Sequence, residues 1–582
     1  MNVESRCMTS NPFSSDCFLG YVNEVAPQSV TIHFPAANLL SRFCCNGVSF
    51  SGGNVGEFVI IEGSRYGFLA KIFNLKLPDS ERKELSAKSV EEDDSIFHPI
   101  AEAELLLSFP IADPTKAEKT ISRYPEIGSR VYVSSTEFVS RFVERFGDDA
   151  DSKAVFSKLG RLASNDAECS VSLNALLGRH CAIVGTTGSG KSWTTSKVIE
   201  AILSNTENKV ILIDPTGEYA SLDGMRNRVC HVAIGEDCYF PYEQLSISDL
   251  ICLLRPTGQA QRPILIEAVK SLKTVRLLGT YSDANVLSRV KRGCLDKTNC
   301  EKKHILNFQF KHQVEIEDGG CAFDITCLVR QIKYECVRPS NVQGNFDYWG
   351  VEDARTYDFQ SSLLFRIQEL TQSPAFKRLF NFAHDMADAL PITEVLEKFF
   401  KSRKKNRILR LDFSKTSSAF NAREIVANAL SRYLYGKAKD RAFTKKPIVL
   451  MIDEAHLFLN KNLIDVDQSL TPLNAVDLIA KECRKFGLFL TLSTQMPRDI
   501  PVGTLSQMGA FIIHRLINEQ DRRTVEMACS SATRTSMTYL PALGSGEAIM
   551  MGVAFPMPIP LRISPPSVPP NSGTPLLTPS KS

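Results

Sequence analysis

Residues 185–192 read Gly-Thr-Thr-Gly-Ser-Gly-Lys-Ser, and this stretch decides the fold. It matches the phosphate-loop pattern G-x-x-x-x-G-K-[ST] at every fixed position. An apolar run, Cys181 to Val184, precedes it, and a helical pattern follows it, as the motif requires. Glycines let the backbone wrap a phosphate chain, and the amide groups and helix N-terminus direct partial positive charge towards it. The stretch therefore predicts a nucleotide site, in preference to a glycine-rich turn that happens to precede Lys-Ser.

The residue types of this loop predict what each part of it does. We expect Lys191 to reach the β- and γ-phosphates of ATP and the Ser192 hydroxyl to ligate Mg²⁺. The predicted nucleotide-binding residues are Gly185, Thr186, Thr187, Gly188, Ser189, Gly190, Lys191, Ser192 and Trp193.

Two later apolar runs end in polar side chains of the kinds that ATP hydrolysis needs. The run from Ile448 ends in Asp453-Glu454, as a buried central strand delivers carboxylates to the edge of a sheet. We expect Asp453 to hold Mg²⁺ through water and Glu454 to polarise the attacking water. The run from Leu488 ends in Thr494-Gln495, and the Gln495 amide can both donate to the γ-phosphate and accept from that water. The predicted cofactors are ATP and Mg²⁺.

A further apolar run, Val210 to Ile213, ends in Asp214-Pro-Thr-Gly-Glu-Tyr219. An acidic side chain at the carboxyl end of a parallel strand lies where ligands bind in such folds. Proline and glycine would make the same strand-ending turn without any ligand. The sequence favours neither interpretation.

The 582 residues divide by pattern into several segments. Alternating strands and helices predict an α/β fold, a RecA-like P-loop ATPase domain with a parallel sheet and a helical insertion. The short strands and turns before it predict a small N-terminal β-barrel or sandwich. The predicted parts are a flexible N-terminus (1–16), a β-barrel assembly domain (17–140), the ATPase domain (155–262 and 401–563), a mostly helical insertion (263–400) and a Pro/Ser-rich tail (564–582).

The composition of the chain limits how it could contact DNA and where in the cell it is expected. The net charge of +3 excludes a generally basic surface, so any DNA contact must be local. Basic clusters at 289–292, 302–303 and 401–407 predict either solvated faces or phosphate contacts. Sixteen cysteines without a CxxC pair favour a reducing, cytoplasmic location with neither disulfides nor zinc. No signal peptide and no apolar run of 18 residues occur, so no membrane segment is expected.

An ordered set of motifs resembles the HerA-type hexameric ATPases of the HerA/FtsK superfamily. The motifs are Gly178-Arg179-His180 before the phosphate loop, DPTGEY at 214–219, IDEAH at 452–456, Arg484-Lys-Phe-Gly487, Ser493-Thr-Gln495, Pro497, Leu505-Ser-Gln507, Arg515-Leu-Ile-Asn518 and Asp521. The resemblance implies a homo-hexameric ring with ATP between subunits and double-stranded DNA in the central channel. It also implies that Lys191, Glu454 and Gln495 are catalytic, and that Arg484 is an arginine finger from the neighbouring subunit. Arg515 is the alternative finger, and Arg179 is a further candidate for the interface.

Relatives in this family work with separate effectors, so the resemblance implies a partner nuclease or sirtuin-like NAD hydrolase, in antiviral defence. The chain itself shows no second catalytic motif. The alternative is a nucleotide-dependent hexameric scaffold that recruits and activates an effector, with DNA movement incidental. A conjugation or chromosome-segregation motor is disfavoured because no membrane anchor is predicted.

Overall fold

A computed structural model describes residues 13–573, with gaps at 41, 46–47, 83–96, 113–116, 118–122, 135–137, 140–154, 164–167, 226–227, 319, 321, 383–385, 387, 403–404, 460–472, 554 and 556. The chain forms two compact units. The first comprises Met1–Asn208, Phe489–Arg498 and Val502–Pro570, and the second comprises Lys209–Leu488, Asp499–Pro501 and Asn571–Ser582. Most of the predicted flexible N-terminus and residues 574–582 of the predicted tail lie outside the described residues.

The first unit begins with the predicted barrel, which is confirmed. Its strands and an adjoining hairpin are β1 (Phe18–Val25), β2 (Ser29–His33), β3 (Arg42–Cys45), β4 (Val48–Ser51), β5 (Phe58–Glu62), β6 (Tyr66–Lys76), β7 (Ile100–Pro110) and β8 (Arg130–Val133). Six of them close in the order β1-β2-β7-β6-β5-β8, and β3 pairs with β4. Alternating side chains such as Val30, Ile32 and Ile61 fill the interior, because successive residues of a strand point to opposite faces.

The P-loop ATPase fold is likewise confirmed. The remaining strands are β9 (Phe156–Leu162), β10 (Glu168–Ser172), β11 (Cys181–Val184), β12 (Lys209–Asp214), β13 (Val229–Ala233), β14 (Cys238–Tyr239), β15 (Val290–Lys291), β16 (Cys294–Leu295), β17 (Leu390–Pro391), β18 (Ile408–Asp412), β19 (Ile448–Ile452), β20 (Leu488–Thr494), β21 (Ala510–Ile513), β22 (Glu547–Gly552) and β23 (Ile559–Ile563). All four residues of β11, the strand before the phosphate loop, are buried.

In the first unit these strands follow the order β10-β9-β23-β22-β21-β11-β20. β11 pairs in parallel with both β20 and β21, as the sequence predicts for the strands around the loop. From β21 outward, however, every pairing is antiparallel, whereas the sequence predicted a parallel sheet. The connections β22–β23 and β9–β10 are short, and a parallel crossover needs a dozen or more residues.

In the second unit the larger strands follow the order β19-β12-β18-β13, and all their pairings are parallel. The described helices of the chain are α1 (Asp79–Arg82), α2 (Leu173–Leu177), α3 (Lys191–Asn205), α4 (Ile247–Leu254), α5 (Gly258–Leu277), α6 (Ala284–Leu287), α7 (Lys302–Lys311), α8 (Gln313–Glu317), α9 (Leu328–Glu335), α10 (Ala354–Asp358), α11 (Ser361–Gln372), α12 (Pro374–Phe380), α13 (Ile392–Lys401), α14 (Ala422–Lys439), α15 (Ala475–Glu482), α16 (Val502–Leu505), α17 (Glu519–Ala528) and α18 (Arg534–Tyr539). Among them, none is both long enough and apolar enough to cross a bilayer.

Residues 263–400, the predicted insertion, contain α6 to α13 and most of α5, all within the second unit. Part of this segment packs around a small apolar cluster that includes Leu278, Ile305 and Phe308, with Trp349 against it. The domain limits taken from the sequence stay predictions, because the two compact units of the structure have different limits.

Candidate functional site

The phosphate loop occupies the turn between β11 and α3. Gly188 and Gly190 have φ angles of +72° and +110°, which side-chain-bearing residues rarely adopt. α3 then begins at Lys191, so the first amide groups of the helix lie at the end of the loop. This backbone has the form that binds phosphate: glycines in the left-handed region followed by a helix N-terminus.

Hydrogen bonds within the first unit hold the loop. The Thr186 amide and hydroxyl both donate to the carbonyl oxygen of Arg515, at 2.9 and 3.2 Å. The Ser189 hydroxyl donates to the Thr186 carbonyl at 2.6 Å, and Lys191 Nζ donates to the same carbonyl at 3.2 Å. Lys191 is only 6% exposed, so its ammonium lies inside the loop and not on the surface.

Gln495 lies against this loop. The Thr187 hydroxyl donates to Gln495 Oε1, which joins the end of β20 to the tip of the loop. With its oxygen engaged by Thr187, the side chain presents its NH₂ group as a donor. The structure thus brings together two predicted site residues that are 308 positions apart. Ser192 follows at the helix start, and the Trp193 side chain is 41% exposed.

Asp453 and Glu454 lie in the second unit, directly after β19. Asp453 is 2% exposed, and its amide donates to the carbonyl of Ile213 at 3.1 Å. Glu454 has a φ of +43°, an uncommon conformation for glutamate of the kind that clusters at functional sites. Its Oε2 lies 3.3 Å from Nδ1 of His456. The sharp turn at Glu454 ends the apolar strand and leaves the carboxylate half-buried.

The structure decides the question left open at Asp214. This side chain is fully buried and accepts the backbone amides of residues 216–219 at 2.8 to 3.3 Å. Its Oδ2 also accepts Nη1 of the buried Arg410 at 3.0 Å. All of these contacts are internal, so Asp214 organises the turn and the strand ends around it.

The three arginines predicted as candidates for the subunit interface differ in their exposure and in their contacts. Arg484 is exposed on a short 3-10 turn, Cys483–Phe486, which ends at Gly487 with a φ of +81°. A Cβ at Gly487 would come within 2.3 Å of the Phe443 carbonyl oxygen, so this turn requires glycine. Arg179 is also exposed. Arg515 is half-buried, and its Nε has no hydrogen-bond partner among the described residues.

Three residues around the loop were missed in the sequence analysis. His514, at the end of β21, is fully buried, and its Nε2 lies 2.8 Å from the hydroxyl of Thr194 in α3. The Gly546 amide donates to the Ser189 carbonyl at 2.9 Å, and the Ser545 hydroxyl donates to the Gly188 carbonyl at 3.2 Å. The only signal in the sequence was a histidine closing an apolar run, which is equally typical of an ordinary strand end.

Comparison with known proteins gives consistent matches. Residues 157–316 match the family model "Helicase HerA, central domain", and residues 431–567 match "Helicase HerA-like C-terminal". A probable helicase of Methanocaldococcus jannaschii is 25% identical over 68% of each chain. The DNA double-strand break repair helicase HerA of Pyrococcus furiosus is 23% identical over 67% of this chain and 66% of that protein. Among solved structures, VirB4 of Thermoanaerobacter pseudethanolicus aligns with a TM-score of 0.41 and 14% identity, over 71% of this chain and 97% of its own.

Proposed function

The chain belongs to the HerA helicase family, and from this premise we propose that it is a ring-forming ATPase that moves or unwinds double-stranded DNA. An ATP-hydrolysing DNA translocase or helicase is what family membership supports. The phosphate loop is the observation that carries the proposal: left-handed glycines lead into a helix start, with Lys191 inside the loop and Gln495 against it.

Each predicted site residue has a role in this reaction. Lys191 and the loop amides would hold the triphosphate, the Ser192 hydroxyl would ligate Mg²⁺, and Asp453 would hold Mg²⁺ through water. Mg²⁺, when bound, neutralises charge on the β- and γ-phosphates. Glu454 accepts a proton from the attacking water, and the Gln495 amide senses the γ-phosphate. The buried strands before these residues fix where each side chain emerges.

A ring is the arrangement that the family resemblance implies, and it would let an arginine of a neighbouring subunit complete the phosphate site. Arg484 is exposed on a rigid turn, as a residue that acts on a neighbouring subunit must be. An arginine inserted from a neighbour stabilises charge that develops on the transferred phosphoryl group. Arg515, whose carbonyl already contacts the loop, is the alternative finger.

Mixing inactive subunits tests whether Arg484 acts across an interface. We expect Arg484→Ala and Lys191→Ala proteins each to lose ATPase activity, and a 1:1 mixture to recover about one quarter of the wild-type rate, since each competent interface needs two independent half-chances in a ring. The control is a mixture of Lys191→Ala with Glu454→Gln, two changes that act on the same subunit, which should recover nothing. Equal recovery in both mixtures, or in neither, would remove the trans role.

Stimulation by DNA separates the translocase from a scaffold. We expect double-stranded DNA to raise the ATPase rate several-fold and added salt to abolish the increase, because phosphate contacts release counterions. The measurement is phosphate release at 50 and 300 mM salt, with and without duplex. An unstimulated ATPase, together with effector activation by the Glu454→Gln ring, would favour the hexameric scaffold that recruits an effector.

We also propose an effector partner, a nuclease or a sirtuin-like NAD hydrolase, acting with the ring in antiphage defence. Its support is the family resemblance and the lack of a second catalytic motif in the sequence. Co-purification of the tagged chain from its native host, followed by identification of stoichiometric partners, is the direct test. Recovery of the ring alone, with phage resistance unchanged by deletion of the gene, would reject this setting.

A further inference from the structure

His514 lies next to the phosphate loop. It is the first residue after β21, with its Cβ close to Gly185 and its ring close to Gly190. A Cβ at Gly185 would approach the His514 Cβ to 2.5 Å, and one at Gly190 would lie 3.5 Å from its Cε1. Gly185, a glycine of the phosphate-binding pattern, therefore also makes room for this histidine, and a Cβ at Gly190 would lie at van der Waals distance from it.

The hydrogen bonds of the ring fix its protonation. Nδ1 lies 2.9 Å from the carbonyl oxygen of Glu547, which can only accept, so Nδ1 carries the proton. Nε2 lies 2.8 Å from Thr194 Oγ1 and, in the neutral ring, accepts the hydroxyl hydrogen. Thr194 itself is 1% exposed and stands in the first turn of α3, three residues after Lys191.

The surroundings keep the ring neutral. Burial, with a smaller contribution from the nearby Lys191 ammonium, lowers the pKa of His514 to about 4, although the carbonyls of Glu547 and Ser189 act in the opposite direction. Among the described residues, Lys191 is the charged group whose field changes the pKa of the His514 ring. At neutral pH Nε2 is therefore an acceptor and can hold the Thr194 hydroxyl in one orientation.

We propose that His514 is a positioning residue of the nucleotide site, a neutral imidazole whose Nε2 holds Thr194 and thereby sets the first turn of α3 and Lys191 for phosphate binding. The inference deepens the proposed ATPase function and rests on it. The turn before β22 supports the loop from the same side, through Gly546 to Ser189 and Ser545 to Gly188. His514 links that turn, through the Glu547 carbonyl, to the helix start.

Two conservative variants separate the two hydrogen bonds of the ring. His514→Gln places an amide oxygen near the position of Nε2 and keeps an acceptor for Thr194, whereas His514→Asn keeps only a donor near the position of Nδ1. We expect His514→Asn to weaken binding of a fluorescent ADP analogue roughly tenfold, because a buried hydroxyl loses its partner, and His514→Gln to weaken it less than threefold. Equal or reversed effects would overturn the assignment.

A double-mutant cycle tests whether the effect passes through Thr194. Thr194→Val removes the hydroxyl at nearly constant volume, and Thr194→Ser keeps it. We expect Thr194→Val with His514→Asn to bind ADP no more weakly than the worse single variant, since both delete one contact. Additive losses would contradict an effect of His514 that passes through Thr194. If His514→Asn does not fold, stronger ADP binding by Thr194→Ser than by Thr194→Val supports the proposal, and equal binding contradicts it.

The pH dependence gives a readout that a purely structural role would not move. Affinity of the wild type for the ADP analogue should fall relative to that of His514→Gln between pH 6 and pH 4, because protonation of the ring around its lowered pKa of about 4 removes the acceptor; the ratio at each pH cancels titration of the ligand. His98→Gln, in the barrel, is the matched histidine control. A constant ratio would reject the proposal. If Lys191→Ala leaves ADP binding intact, the nucleotide site itself is misassigned, which is a separate failure.

Discussion

Glu454→Gln is expected to lower the ATPase rate by about 10²- to 10⁴-fold while leaving nucleotide binding in place, because a neutral amide cannot accept the proton of the attacking water. Lys191→Ala is expected to lose about 10²- to 10³-fold in rate and also to bind ATP weakly, since it removes the one ammonium inside the loop. Both variants are therefore expected to lose ATPase rate, but only Lys191→Ala is expected to lose affinity for ATP. Phosphate release and titration with a fluorescent ATP analogue measure the two quantities separately.

The controls use an exposed pair of the same residue types. Lys398 and Glu394 form an i,i+4 ion pair on α13, with side chains 60% and 47% exposed. Lys398→Ala and Glu394→Gln should leave both rate and binding within twofold of wild type, as expected for an exposed pair. Hydrolysis that survives in both Lys191→Ala and Glu454→Gln would show that the assigned residues are not those of the active site.

The strands around the phosphate loop were predictable because they are short, wholly apolar and followed by polar motifs. Cys181–Val184 has the bounds that the sequence indicates, and β19 ends before Asp453 as predicted. The strands β9 and β23 were missed. Lys158 and Arg161 interrupt β9, and Pro560 lies inside β23 opposite Ile549, so neither segment has the pattern of a buried strand. They also pair with each other, and these two strands are far apart in the sequence.

The candidate site was predictable to the extent that its residues stand in motifs. Lys191, Glu454 and Gln495 each follow a recognisable strand, whereas His514 has no motif. Its function depends on a hydroxyl 320 positions away and on a backbone carbonyl, and neither leaves a pattern in the sequence. Asp214 illustrates the converse case, in which a motif residue proved to be structural. The structural role follows from contacts that the sequence does not show, because the carboxylate oxygens of Asp214 already accept hydrogen bonds from backbone amides and from Arg410.

Arg410 joins the ends of parallel strands in the second unit, because its one guanidinium pairs with three carboxylates there. It is 1% exposed, with Nη1 at 3.0 Å from Asp214 and 3.1 Å from Asp412, and with Nε and Nη2 bonded to Asp223 at 3.0 and 2.6 Å. Burial alone would raise the pKa of Asp412, but hydrogen bonds from Ser414 and the charge of Arg410 hold it below its usual value.

Arg410→Met is therefore expected to destabilise this unit by about 3–5 kcal/mol at pH 7, since it leaves buried carboxylates uncompensated. Local hydrogen exchange at β12 and β18 measures the loss without assuming two-state unfolding of the whole chain. Lys415→Met breaks an exposed ion pair with Glu236 and should cost less than about 1 kcal/mol. The lowered pKa of Asp412 contributes stability above its unfolded value, which is lost as the pH falls through the folded pKa. The difference between Arg410→Met and wild type should accordingly shrink as the pH falls below 3.8, the ordinary pKa of this carboxyl, and a pH-independent difference would assign the effect to packing instead of charge.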